Sequence, residues 1–248
     1  MDTFNFSNCN VTNNFYSKCC DKKLSECRDL LPEEYGIMHN EALEYMVKNY
    51  YDDLVNKECT VENLLNDLSR VSEFLTTKYP ALKNSIYYET SIARKYIIDL
   101  GTDIETGNSK ILDVVKYPNC FKTAIEKTVY TEALKNDMIL LIKYIHSGEE
   151  TVYKYKEQLN KIFNSSYSEY DDYVVAIMHS VYNASAAFWG NNKIHSKVAK
   201  EDPPSGMTCE EWAIVCDNIG STMPVPIVNA LVAILFSIAA LRDCKEDK

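Results

Sequence analysis

The sequence predicts an all-α protein, a multi-helix bundle of about seven to nine helices. Its 248 residues include only 7 Gly and 7 Pro, so long uninterrupted segments dominate over turns. Apolar residues recur at three- and four-residue spacing over most of the chain, which is typical of amphipathic helices. No stretch of any length shows the apolar–polar alternation of a half-buried strand.

The first 31 residues predict an irregular, Cys-rich arm. They are rich in Asn and hold four of the nine Cys of the chain. They contain neither a C-x2-C pair nor a nearby His, so we expect no metal site there. The sequence likewise gives no indication of a cofactor.

Residues 32–189 predict the helical bundle itself. Pro32 opens the first helix, Thr60 can cap the second, Pro80 stops it, and Gly101 ends the third. From the apolar spacing we expect helices over about 33–56, 61–78, 85–100, 109–117, 121–146, 149–163 and 169–189. The last of these carries two adjacent apolar stripes, so we expect it to be central.

The segment 190–207 predicts a linker, because its Gly, Asn, Pro and charged residues leave no periodicity. Thr208 and Glu211 then form the pattern of a capping box, ahead of a short helix that ends at Gly220. We therefore expect residues 208–248 to form a C-terminal helical hairpin, packed on the bundle or associated with a membrane.

The run Met223–Leu241 is the most apolar of the chain and holds no charge. On a helical wheel its bulky residues cover most of the circumference, while Asn229, Ala233 and Ser237 form a helix-packing strip at every fourth position. Such a strip lets two helix backbones approach closely. A helix over 225–241 would be only ~26 Å long, against ~30 Å for a bilayer core. Buried core, membrane insertion and an oligomer interface all stay open.

Charge and cysteine content bear on partner and location. The formal net charge of -10 disfavours nucleic acid and anionic lipid, because an acidic surface repels phosphate. We expect an unknown protein partner. The nine Cys are odd in number, and residues 1–30 lack the pattern of a secretory signal. We therefore expect a cytoplasmic protein with reduced thiols, unless the chain is a processed mature form.

One motif lies in the first predicted helix: Tyr35 to Tyr45 reads Tyr-Gly-x-x-His-Asn-Glu-x-Leu-x-Tyr. It resembles the opening of a group of poorly characterised bacterial helical proteins. The resemblance implies a patch of small and aromatic residues, here 183–189, and a C-terminal segment rich in small residues, here 223–241. That segment is instead rich in Val, Ile and Leu. The resemblance implies no particular activity.

Two sets of polar residues are candidates for binding. The first set is in the motif: His39, Asn40 and Glu41. The second shares the polar edge of the predicted central helix: Asp172, His179 and Asn183. For the first set the alternative is that His39 is a structural or surface histidine, and for the second it is a satisfied polar strip. His39 and Glu41 point to different sides of a helix and cannot form a base and its orienting carboxylate. Gly36 permits a close backbone approach.

The chemistry of the chain favours a non-enzymatic binding protein. It contains no H-E-x-x-H, P-loop, G-x-G-x-x-G, G-x-S-x-G or helical Glu-x-x-His motif. Two alternatives stay open. One is a membrane-associating, toxin-like or immunity-like bacterial protein that acts through residues 223–241. The other is an enzyme with its site around His39 or His179.

Overall fold

A computed structural model describes residues 30–101, 121–122, 125–126, 128–145, 151–194, 196–198, 202–203, 207–222 and 226–245. Within these ranges every regular element is helical, which confirms the all-α prediction. The α-helices described are α1 (Pro32–Asn56), α2 (Val61–Lys78), α3 (Lys83–Gly101), α4 (Glu132–Ile145), α5 (Thr151–Asn164), α6 (Glu169–Asn191), α7 (Cys209–Gly220) and α8 (Pro226–Asp243). A 3-10 turn, Pro80–Leu82, joins α2 to α3.

Local capping signals set several helix starts. The Thr60 hydroxyl accepts a hydrogen bond from the Asn63 amide at 3.2 Å, and α2 has the bounds expected from the sequence. At α7 the capping box is present, with Thr208 and Glu211 bonded reciprocally at 3.2 and 3.1 Å. Each bond satisfies an amide that the first turn of a helix leaves without a partner.

The helix expected over 121–146 does not run through, and this prediction is wrong. Residues 128–130 bend, and α4 begins only at Glu132. The cause is tertiary: the amide and hydroxyl of Thr131 both donate to the buried carboxylate of Asp171, at 3.1 and 2.5 Å. Thr131 in turn accepts from the Leu134 amide, as an N-cap does.

Two other predicted segments lie outside the described residues. These are the irregular arm, apart from Leu30 and Leu31, and the short helix over 109–117. Of the predicted linker 190–207, the first two residues belong to α6, and the described positions that follow them are not helical.

Helix α8 is enclosed by the bundle. Its residues 230–242 are all buried, and it contacts α1, α2, α3, α6 and α7. Burial of this run removes a large apolar area from water, which is the main favourable term in folding. None of the helices in the described ranges combines the length and the apolar character needed to cross a membrane.

At Ala233 the small-residue strip of α8 lies directly against α7. A Cβ atom added to Gly220 would lie 2.6 Å from the Ala233 Cα, so the two backbones are in direct contact at this point. Ser237 is buried further along α8 and donates to its own Ile234 carbonyl at 3.2 Å. The side chain of Asn229 lies outside the description.

The expectation of free thiols is wrong for one pair of cysteines. Cys209 and Cys244 form a disulfide across 35 residues, with Cα atoms 5.7 Å apart. Cys209 is the first residue of α7 and Cys244 follows the last residue of α8. Because the two helices form an antiparallel hairpin, its outer ends meet, and this proximity is not visible in the spacing of the cysteines.

A buried ion pair fixes the end of α8 on the other side. The Arg242 guanidinium donates to the Asp67 carboxylate at 2.5 Å and to the Asp53 carbonyl at 3.2 Å. Burial raises the pKa of Asp67, while Arg242 opposes that effect. Arg70, 2.7 Å from the Asp53 carboxylate, extends the pair toward the surface. The C-terminal end of α8 is thereby tied to α1 and α2.

Candidate functional site

A buried polar cluster lies where α1, α6 and α7 meet. Its four members, called here the His39–Asp217 cluster, are His39, Ser185, Trp189 and Asp217. One Asp217 oxygen, Oδ2, accepts from the Ser185 hydroxyl at 2.5 Å and from the Trp189 indole at 3.2 Å. The other, Oδ1, lies 3.1 Å from His39 Nε2. His39 and Asp217 are both fully buried.

The cluster compensates only part of what it costs to bury a carboxylate. Desolvating a charge costs several kcal/mol in a protein interior, so its partners decide whether the group is tolerated. Asp217 Oδ2 has two aligned donors. Oδ1 and His39 Nε2 are within ion-pair distance, yet neither makes an aligned hydrogen bond. Removing the His39 side chain would leave Asp217 Oδ1 buried without its neighbouring imidazole. Removing the Asp217 carboxylate would leave His39 Nε2 buried without its neighbouring carboxylate.

Asn40 orients the imidazole of His39. Its side-chain amide donates to the Ala184 carbonyl of α6 at 2.9 Å. That bond fixes which end of the amide is oxygen, and this oxygen lies 3.1 Å from His39 Nδ1. Asn40 therefore both holds the ring and joins α1 to α6.

Two more motif residues serve the same helix pair. Gly36 donates its amide to the Ser180 hydroxyl at 3.2 Å, and a Cβ atom there would lie 2.4 Å from that oxygen and 2.7 Å from the Ser180 carbonyl oxygen. The expected close approach at Gly36 is confirmed. The hydroxyls of Tyr35 and Tyr173 lie 3.3 Å apart between α1 and α6.

Glu41 belongs to a different contact, and the structure does not bring it to His39. Its carboxylate accepts from the Tyr79 hydroxyl at 2.5 Å and lies 2.7 Å from Lys78 Nζ. Burial and the neighbouring Glu41 together raise the pKa of Tyr79 above its ordinary value. Glu41 thus ties α1 to the end of α2.

The second candidate set lies on the outer edge of α6, where Asp172, His179 and Asn183 are all exposed. The Asp172 carboxylate accepts from the Tyr167 amide at 2.8 Å. The His179 ring stacks on Phe163 of α5, with centroids 4.4 Å apart and planes 28° apart. The structure therefore places these residues on one edge, and none of the three is hydrogen-bonded to another in the described part of the chain.

An exposed aromatic surface results between α5 and α6. Phe163 and Tyr182 are half-buried, with ring centroids 5.8 Å apart. His179 covers Phe163 on the outside, and Asn183 lies one helical turn beyond His179. We call these four residues the α5–α6 aromatic surface. Tyr182 and Phe163 were not among the candidates from the sequence, because those candidates were polar residues and helical spacing places Tyr182 on an apolar stripe.

The His39–Asp217 cluster is not arranged as a catalytic triad. A serine nucleophile needs its hydroxyl bonded to the base, with the carboxylate behind the base. Here the Ser185 hydroxyl donates to the carboxylate, and His39 lies on the opposite side of it. The geometry instead pins three helices together. In the described ranges, no group of three or more His, Cys, Asp or Glu is placed to hold a metal ion.

Three members of the cluster were missed by the sequence analysis. Ser185 and Trp189 are one helical turn apart, and Asp217 is 32 residues from Ser185. No local signal marks Asp217, because Glu210, Glu211 and Asn218 also make α7 polar at several positions. Only its full burial in the packed structure shows that this carboxylate needs a partner.

Comparison with known proteins adds no assignment to this geometry. No protein-family model, no curated protein and no solved structure matches the chain. The site is therefore interpreted from its own contacts, burial and charge.

Proposed function

We propose that the protein is a non-enzymatic binding protein that recognises a protein partner through the α5–α6 aromatic surface. The observation that carries this proposal is the stacking of an exposed His179 on Phe163, 4.4 Å between centroids. Stacked aromatic rings offer a large contact area at low cost in side-chain entropy, and such residues are enriched at protein interfaces.

The use of the polar residues supports the same proposal. Gly36, His39 and Asn40 are engaged with α6 or α7, and Glu41 with α2. These contacts are internal, so a ligand has no direct access to the His39–Asp217 cluster. Among the candidates from the sequence, the exposed set on α6 is the one positioned for contact with a partner.

The bundle gives this surface a firm support. Helix α6 packs against α1 and α7, and the His39–Asp217 cluster fixes its register against both. Binding residues on a rigid helix lose less freedom on association than residues on a loop. We propose further that residues 1–31 form an irregular Cys-rich arm, and that the very hydrophobic α8 is the central helix of the bundle.

Site-specific photo-crosslinking in cells that make the protein tests the proposal. A photoreactive residue replaces Asn183, and the control carries it at Asn136, an exposed position on α4. We expect a discrete protein adduct from position 183, absent from position 136 and lost when His179→Ala is added. Equal adducts from both positions, or an adduct that survives His179→Ala, would contradict the proposal.

A membrane action through residues 223–241 requires α8 to leave the bundle. That movement would break the Arg242–Asp67 pair and expose an otherwise buried apolar run, and the Cys209–Cys244 disulfide would keep the start of α7 attached to α8. Flotation with neutral and with anionic liposomes distinguishes the two functions. We expect no protein in the vesicle fraction, and its recovery there would favour the membrane alternative.

For location, the proposal departs from the cytoplasm expected from the sequence. The Cys209–Cys244 disulfide favours an oxidising compartment, because cytosolic reductants keep most thiols reduced. Thiol labelling of the protein taken directly from cells tests this. We expect Cys209 and Cys244 to react only after reduction, whereas immediate labelling of both would support the cytoplasm.

A further inference from the structure

The end of α5 carries an acceptor motif for N-linked glycosylation. Asn164, Ser165 and Ser166 form the pattern Asn-x-Ser, with a residue other than Pro in the middle. Asn164 is the last residue of α5, and residues 165–168 connect it to α6 without helical structure. The motif therefore lies at the start of a connecting loop, which is the structural setting expected of a glycosylated asparagine.

The amide nitrogen of Asn164 is accessible in the folded chain. Asn164 and Ser166 are both exposed, and Asn164 shares a face of α5 with the exposed Asn160 one turn earlier. The Asn164 side-chain amide donates to the Asn160 carbonyl at 2.7 Å, a bond within its own helix. An amide NH2 group has two protons, so a sugar can replace one of them while the other keeps this bond.

An identical pattern on α6 provides the contrast within the same chain. Asn183, Ala184 and Ser185 also read Asn-x-Ser, but they lie inside a helix of 23 residues. The Ser185 hydroxyl, which the motif requires, is fully buried and donates to Asp217. The folded structure therefore offers the motif at Asn164 and withholds the one at Asn183. A glycan on Asn183 would also cover the α5–α6 aromatic surface.

The Cys209–Cys244 disulfide is an independent observation that favours the same modification. Disulfides persist in secreted proteins and in the lumen of the endoplasmic reticulum, and N-linked glycans belong to secreted proteins. The inference about Asn164 thus rests on the oxidising compartment proposed above, and it does not depend on which partner the protein binds.

We propose that Asn164 carries an N-linked glycan and that Asn183 does not. The donor is an oligosaccharide joined to a lipid pyrophosphate. The Asn164 amide nitrogen forms a bond to the anomeric carbon of the first sugar and loses one proton, and the bond from that carbon to the pyrophosphate oxygen breaks. The products are the glycosylated asparagine and the free lipid pyrophosphate, and nothing is oxidised or reduced.

Peptide mass spectrometry of the protein purified from the cells that make it tests the proposal. The sample is divided, and one half is treated with peptide N-glycanase in heavy-oxygen water, which leaves a labelled Asp wherever a glycan was attached. We expect labelling at position 164 in the treated half alone, and none at position 183. Two more motifs, at Asn5 and Asn10, lie outside the described residues, so the readout must identify the site.

Two variants of one exposed residue serve as matched controls. Ser166→Ala removes the motif and leaves Asn164 in place, whereas Ser166→Thr keeps the motif. We expect the label at position 164 to be lost in the first variant and retained in the second. Both substitutions are in an exposed loop, so the fold should tolerate either one.

The possible failures are distinguishable. An unmodified Asn164 in protein whose Cys209 and Cys244 react only after reduction would overturn the glycan and leave the oxidising compartment in place. An unmodified Asn164 in protein with both thiols free would overturn both. A glycan on Asn183 would overturn the contrast between the two motifs.

The binding function is tested apart from the glycan. The attachment point at Asn164 lies about 100° around α5 from Phe163, so the aromatic surface does not require the sugar. We expect the crosslinked adduct from position 183 to persist in Ser166→Ala. Absence of the adduct in a chain that is glycosylated at Asn164 would count against the binding surface and leave the glycan in place.

Discussion

Both faces of α6 carry polar residues, but those on the inner face bond to other helices and those on the outer face are exposed. On the inner face, Ser185 donates to a buried carboxylate and the Ala184 carbonyl accepts from Asn40. On the outer face, His179 and Asn183 are exposed, and His179 makes its contact with a ring rather than with a charge. The difference shows that a polar residue on this helix determines either the register of the bundle or the character of its surface. Mutations on the inner face should therefore lower stability, and mutations on the outer face should affect binding.

The largest effect should come from the centre of the inner face. Replacing Asp217 by Ala leaves Ser185 and Trp189 buried without their shared acceptor and His39 buried without its neighbouring carboxylate. We expect a loss of about 3–5 kcal/mol in the free energy of unfolding, measured by urea denaturation. The control is Asp52→Ala on the exposed side of α1, which should change stability by less than about 0.5 kcal/mol. Equal losses from both variants would remove the basis of the comparison.

A smaller loss is expected where α1 and α6 touch. In Gly36→Ala the new methyl group would overlap the Ser180 hydroxyl and its carbonyl oxygen, at 2.4 and 2.7 Å. The backbone oxygen cannot rotate away, so we expect a loss of about 1–3 kcal/mol from overpacking.

The matched control is Gly190→Ala on the same helix pair. A Cβ atom at Gly190 meets nothing within 4 Å, so the variant should be neutral or more stable by up to about 1 kcal/mol through helix propensity. Thermal unfolding of the two variants side by side measures the contrast. If Gly36→Ala were as stable as Gly190→Ala, the helices would not be in the contact described.

A pH-dependent effect of intermediate size is expected at Asp137 on α4. Burial opposes its ionisation, but hydrogen bonds from Lys161, Tyr167 and Gln158 outweigh it, so the pKa of Asp137 lies below its ordinary value of 3.8. A carboxyl with a lowered pKa stabilises the fold above pH 3.8, and this contribution is lost as the pH falls through the lower value. Wild type should therefore exceed Asp137→Asn in stability at pH 7, and the gap should narrow progressively as the pH falls below 3.8. A gap that is constant from pH 7 to pH 2 would contradict this assignment.

The smallest effect on stability should come from the outer face. His179→Ala removes one exposed ring, so we expect a change within about 0.5 kcal/mol, although the partner adduct from position 183 should be lost. Urea denaturation and crosslinking on the same preparation check both halves. A large destabilisation would mean that His179 belongs to the core and not to a binding surface.

Much of the fold is predictable because its signals are local. The bounds of α2 follow from Thr60 and Pro80, and the start of α7 follows from Thr208 and Glu211. These residues act on amides within their own helix turn, so neighbouring residues in the chain are sufficient to recognise them.

The rest depends on contacts between distant residues. Asp217 meets His39 across 178 positions, as the difference of their numbers shows, and no spacing rule links them. Helix α4 begins directly after Thr131, because the Thr131 amide donates to the Asp171 carboxylate and not to a backbone carbonyl of a preceding helical turn. In the same way the motif indicated that Tyr35–Tyr45 is special, but only the packed structure explains this through contacts with α2, α6 and α7.

One crosslinking comparison tests the separation of the two faces most directly. Adduct yield from position 183 is measured in two folded variants, Ser185→Ala on the inner face and His179→Ala on the outer face. We predict that the adduct persists in Ser185→Ala, with lower stability, and disappears in His179→Ala, with stability nearly unchanged. Loss of the adduct in folded Ser185→Ala together with its retention in His179→Ala would contradict the account.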